Sequence, residues 1–195
     1  GSRPPIHQSS ITASHYALDS HAVRKREEGR VHLDGFLSYP SAVYTVPYGV
    51  MVPKEVGNLL LPVPVSGSHI GFSTLRMEPC WMAMGQAAGI ASALSIDGKV
   101  KVQNIDLSRL QDKLVDQKAT LMYFKDVDYT SPHFRMVQYL GLRGYLPEWT
   151  ARLQEPVDMA TLTAWKKLSG KDLPGIEAGK TTRLVALEMI YRKIK

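Results

Sequence analysis

Residues 58–94 read NLLLPVPVSGSHIGFSTLRMEPCWMAMGQAAGIASAL, and the reading of this stretch decides the fold. An apolar run, expected as a strand over 59–63, enters a Gly- and Ser-rich loop over 66–77. The loop feeds a helix whose first turn carries Pro79, where a missing amide hydrogen costs nothing. Beyond it, Ala83, Gly85, Ala87, Ala88, Gly89, Ala91, Ser92 and Ala93 leave almost no side-chain bulk. A glycine inside a helix costs about 1 kcal/mol relative to alanine, so Gly85 and Gly89, four apart, require a compensating gain. Close approach supplies one: a small face packs tightly on a sheet or a cofactor, while the free amides and positive dipole end at the helix start point at an electron-rich group. Packing on a second helix is the other account, and this stretch alone does not choose between them. Gln86 and the short apolar length argue against a membrane dimerisation helix.

Upstream, residues 11–66 are rich in Val, Tyr, Ser and Pro, with short apolar runs such as Val43-Tyr44-Thr45-Val46 bounded by turn formers, which predicts strands and turns. Downstream of about Asp106 the pattern turns helical. Asp106 is placed to cap a helix carrying Leu107, Leu110 and Leu114. Ser131-Pro132 starts another carrying Phe134, Val137 and Leu140, stopped by Gly144. Asp158 and Thr181 open two more, with Leu162, Trp165 and Leu168, then Leu184, Leu187 and Tyr191, on apolar faces. The expected boundary therefore falls between Lys101 and Leu107, giving units over 1–105 and 106–195. No internal repeat or low-complexity segment interrupts this division.

The gross numbers bound the function. With 195 residues, 44% of them hydrophobic, the chain can bury a sizeable core. The formal charge of +6 lies wholly after Gly98, because seven Lys/Arg balance seven Asp/Glu before it. Acidic and basic residues alternate there, which fits a solvated helical surface better than a nucleic-acid footprint. A single cysteine, Cys80, excludes a disulfide framework and a multi-cysteine metal site, and its apolar neighbours fit a buried packing residue. No apolar run is long enough to span a bilayer. Gly1-Ser2 reads as a cloning remnant, and the first residues carry no signal-peptide pattern. Localisation is left open, with an exported or periplasmic location among the options.

Three pieces, ITASHYALDSHAV over 11–23, PYGVMVPKEVGNLLLPVPVSGSHIGFSTLRMEP over 47–79 and GQAAGIASAL over 85–94, resemble in this order the C-terminal portion of a bacterial family of FAD-dependent oxidoreductases related to the glutathione reductase fold. The resemblance covers about residues 10–108. It implies an α+β chain: a partial FAD/NAD(P)-binding, Rossmann-like domain with substrate-side β-strands, followed by a small helical module. It also implies that 59–63 is the last strand of the FAD domain, that 66–77 lines the flavin, and that the helix from Pro79 aims its start at the pyrimidine end of the ring, which gains negative charge on reduction. The implied cofactor contacts are Ser73, Thr74, Leu75, Arg76, Met77, Glu78 and Gly85.

Two departures qualify the likeness. The G-x-G-x-x-G loop that holds the FAD pyrophosphate is absent from this sequence. Pro62-Val63-Pro64 stands where the family more usually has small residues, which removes backbone donors. The expected parent protein therefore carries FAD, while this chain alone is expected to hold it poorly or not at all. Its expected partners are the N-terminal half bearing the Gly-rich loop and a small-molecule substrate. Self-association is expected if that half is missing.

In such a protein the flavin takes the hydride and the chain supplies position, charge and one acid or base. His69 and His21 are the candidates for that proton, against the plainer reading of hydrogen-bonded structural histidines. Arg76 faces the flavin or an acidic substrate, or is held by a carboxylate. No metal site is legible, since His15 and His21 share no helical face and no carboxylate stands at ligand spacing. Ser66-Gly67-Ser68-His69 lacks the nucleophile-elbow pattern. Residues 123–168 weakly resemble one surface-layer homology repeat, without its T-R-A-E signature at the second helix. The alternative function is accordingly a non-catalytic carbohydrate or cell-envelope binding module in which Trp149 and Trp165 stack on sugars, unless they are core.

Overall fold

A computed structural model describes residues 3–21 and 36–195. Strand β1 (Ser10–Ser14) pairs antiparallel with β4 (Tyr44–Pro47), Ser14 opposite Tyr44 and Thr12 opposite Val46, with an irregularity between Ser10 and Thr12. Strands β2 (Leu18–His21) and β3 (Phe36–Tyr39) form a second antiparallel pair, Leu18 opposite Tyr39. A 3-10 turn, Tyr48–Met51, follows β4 directly.

The strand expected over 59–63 is not formed. Pro62 and Pro64 have no N–H to give a ladder. The segment is instead laid back on the 3-10 turn, Leu61 N donating to Met51 O at 2.8 Å and Ser66 N to Val50 O at 2.6 Å. The expected loop over 66–77 also holds a helix, α1 (His69–Leu75), started by Ser68, whose Oγ accepts from Gly71 N. Helix α2 (Glu78–Gly98) then runs for 21 residues with Pro79 in its first turn and Lys99 in the left-handed conformation at its end. Its buried face is Cys80, Met84, Ala87, Ala91 and Leu94, the three-and-four spacing of an apolar stripe.

The helical half follows its caps. Asp106 Oδ1 accepts from Ser108 N and Arg109 N at the head of α3 (Leu107–Asp116). Helix α4 (Phe134–Leu142) is the exception: it starts after the expected Ser131-Pro132, with His133 as an N-cap that gives no side-chain hydrogen bond, and it ends before Gly144 at φ 85°. Asp158 caps α5 (Met159–Ser169), whereas Thr182 rather than Thr181 caps α6 (Arg183–Ile194). On α5, Leu162 and Trp165 enter the core, but Leu168 is 49% exposed, because the helix turns that position outward.

One hydrophobic cluster contains Ile11 and Val46 of the strands, Met84 and Ala91 of α2, and Leu140, Trp165 and Leu187 of the later helices. Polar ties reinforce it. Ala13 N donates to Thr120 O at 2.8 Å, and Gln111 Nε2 donates to Gln8 O and Ser10 O. The fully buried Gln138 accepts from Leu121 N and Met122 N through Oε1 and donates to Met122 O, so no polar atom of its amide is wasted in the core. Ahead of β1, the Arg3 guanidinium lies between the rings of Phe124 and Trp149 and donates to the carbonyls of Tyr123 and Glu148. Among the described residues, no helix is long and apolar enough to cross a membrane.

Candidate functional site

The site assembles at the junction of α1 and α2. Helix α1 ends on Arg76, and Met77 takes an extended conformation as the N-cap of α2, giving no side-chain hydrogen bond to the helix it opens. The first-turn donors of α2 are thus not capped by their own N-cap side chain. Only Glu78 brings a carboxylate to that turn.

The sequence-predicted contacts divide into two sets. Ser73, Thr74 and Leu75 are buried and face inward. Ser73 Oγ donates to Ile70 O at 2.6 Å and accepts from Asp19 N at 3.0 Å. Thr74 Oγ1 donates to Tyr16 O at 2.6 Å, and Tyr44 Oη reaches Thr74 O and Thr74 Oγ1 at 2.9 and 2.7 Å. These bonds fasten α1 to β2 and β4. Burial pushes the Tyr44 phenol up, which keeps it a proton donor in that clasp. Arg76 and Met77 are half-buried, and Glu78 is exposed. His69 is exposed at the head of α1. His21 ends β2 opposite Phe36, and its side chain lies outside the described residues.

Arg76 is held by a carboxylate. Its Nη2 lies 2.9 Å from Asp19 Oδ2, the Asp19 side chain 8% exposed and that of Arg76 35% exposed. The guanidinium carbon sits 5.7 Å from the centre of the Tyr16 ring. Asp19, Tyr16 and Tyr44 are the members of this arrangement that the sequence reading did not single out. One signal was available for Asp19: an acidic residue inside a strand-like run, on an inward position, calls for a cation.

Helix α2 resolves the two accounts of its glycines only on its inner side. A Cβ built on Gly85 or on Gly89 meets nothing within 4 Å among the described residues, so no described helix packs closely on them. The same outer face carries Met82 and Ile96, 76% and 75% exposed. A cleft of about 460 Å³ continues it between Gly89, Ala93 and the Lys113 end of α3. Helices apolar on both faces are normally covered on both. Cys80, on the inner face, is buried, and burial raises its thiol pKa, which makes it an inert packing residue.

The two tryptophans considered for sugar stacking differ in exposure, Trp149 being half-buried at a cleft of about 420 Å³ and Trp165 buried. Trp165 is 1% exposed and donates from Nε1 to Tyr145 O, and Trp149 packs against Arg3 and Tyr123. Among the described residues, no group of three or more His, Cys, Asp and Glu is placed to hold a metal.

A family model described as FAD dependent oxidoreductase matches residues 4–114, the strands, the junction, α2 and most of α3. No curated protein and no solved structure matches the chain. The residues at the junction fit one end of such a cofactor: a half-exposed cation, a helix start without a side-chain cap, and an open small-residue face. They do not supply the Gly-rich pyrophosphate loop, which this sequence lacks.

Proposed function

The chain belongs to the FAD-dependent oxidoreductase family, and we propose that it forms the flavin-facing part of an enzyme that moves a hydride from a small-molecule or carbohydrate-type substrate to FAD. Bound FAD supplies the hydride acceptor. Arg76, Met77, Glu78 and Gly85 line the ring end of the cofactor. Ser73, Thr74 and Leu75 act from behind, fixing the backbone of α1 so that the junction keeps its shape. His69 or His21 accepts the proton of a substrate hydroxyl on an imidazole nitrogen.

The observation that carries this reading is the open outer face of α2 at Gly85 and Gly89, next to the junction and within the residues matched to the family. Its natural cover is the nucleotide-binding half with the G-x-G-x-x-G loop, in a bacterial, glutathione-reductase-like domain divided from the helical unit near Asp106. The likeness of residues 123–168 to a surface-layer homology repeat is kept as a minor part of the proposal, supported by the order of α4, the Gly144 turn and α5. Without its cover the chain self-associates through the Met82 and Ile96 face.

An absorbance spectrum from about 300 to 550 nm, taken with added FAD and with or without the nucleotide-binding half, tests this. Flavin bands retained only with both halves, and lost in Gly85→Leu, are the expected result. Absence of flavin bands with a folded nucleotide-binding half present sinks the proposal.

A further inference from the structure

We infer that Asp19 is a positioning residue: by pinning the Arg76 guanidinium at the α1–α2 junction, it fixes a positive charge toward the flavin end that turns negative on reduction. The inference rests on the FAD reading above and adds a residue to it. Asp19 lies on β2, and its backbone N–H is already spent on Ser73 Oγ of α1, so strand and helix cannot slide past each other. Its carboxylate is more than nine-tenths buried and meets Arg76 Nη2 at 2.9 Å. Burying a carboxylate is expensive unless a cation answers it, so Asp19 holds Arg76 as firmly as Arg76 neutralises Asp19.

The bond to Nη2 engages one corner of a guanidinium that carries five N–H donors in a rigid fork. The Arg76 side chain is 35% exposed, against 8% for Asp19, so the pair is buried at its anionic end and open at its cationic end. Tyr16 stiffens the arrangement: its ring lies under the guanidinium, and its carbonyl is tied by Thr74 Oγ1 and by Ser41 Oγ at 2.6 Å each. A flexible arginine would follow the solvent; this one is fixed by Asp19 of β2 and by Tyr16 just before that strand. It precedes Met77, the N-cap of α2. Charge beside the ring is one of the ways a protein sets a flavin's electronics.

The test is the two-electron midpoint potential of FAD-loaded protein carrying Asp19→Asn, Arg76→Gln or both. Arg76→Gln is expected to make reduction about tenfold less favourable, which is about 30 mV for a two-electron couple. Asp19→Asn is expected to lower the potential as well by releasing Arg76, whereas loss of its negative charge alone would raise it, and a rise overturns the inference. The double change is expected to lower the potential no further than Arg76→Gln, because Asp19 acts only through Arg76 and its loss also removes the carboxylate that Arg76→Gln leaves unpaired. A potential unmoved by Arg76→Gln, or shifts that add in the double variant, overturns the inference while leaving the FAD reading in place. Protein that never retains FAD, alone or with the nucleotide-binding half, overturns both. Unchanged circular dichroism spectra in the single variants separate a charge effect from lost folding.

Discussion

Gly141 in α4 and Gly85 in α2 are the same residue inside the same kind of element, yet their surroundings are opposite. A Cβ on Gly141 would stand 2.9 Å from Phe124 Cζ and 3.0 Å from Met122 Sδ, whereas one on Gly85 would meet nothing within 4 Å among the described residues. The helical half uses its glycine to let the loop before α4 close onto the helix. The junction half leaves its glycines facing outward. Both accept the same loss of helix propensity, but among the described residues only the first recovers it through close packing. The difference separates a glycine covered by its own chain from one that presents a surface to something else.

The strongest way to break this contrast is to remove the centre of the helical half. Trp165→Ala deletes a fully buried ring and its bond to Tyr145 O and should cost about 3–5 kcal/mol. A denaturant midpoint near that of the wild type would show that Trp165 does not anchor this packing. Gly141→Ala should come next, costing about 1–3 kcal/mol through overpacking against Phe124 and Met122. Gly85→Ala should do the reverse, raising stability by up to about 1 kcal/mol in thermal melts, since there is space for the methyl group. A destabilised Gly85→Ala would mean that the face is already covered.

The halves should also differ in pH. Hydrogen bonds from Thr161 hold the Asp158 carboxyl below the usual carboxylate range. Its cap therefore contributes above the unfolded value of about 3.9 and is lost as the pH falls through the lower folded value. The Thr161 amide signal followed by NMR should report that loss. At the junction the sign is opposite. Burial raises the Cys80 thiol, so stability present below the unfolded pKa of about 8.5 declines as the pH rises toward the folded one. Cys80→Ala should flatten that alkaline limb.

Legibility in the sequence followed the range of the interactions. Asp106 and Asp158 announced their helices because a cap and its partners lie within three residues. The run over 59–63 misled because apolar content outweighed the two prolines that forbid a ladder. Helix α1 was hidden in a loop-like composition, its one local sign being Ser68 as cap to Gly71 N. The three resemblance pieces located the junction, and the family match covers them. The pair of Asp19 and Arg76, 57 residues apart, has no local signature. Likewise, nothing in the text of the sequence says that Ser73 and Thr74 spend their hydroxyls on strands.

Arg3 carries a lesson for anyone who would cut this chain in two. Its guanidinium plugs a slot between Phe124 and Trp149, residues more than a hundred positions away. A helical piece excised at Asp106 leaves that plug behind, and with it the Gln8 and Ser10 carbonyls that Gln111 grips. Such a piece would begin its life with an open seam, and what looks like a spare module on paper is upholstered by the other half.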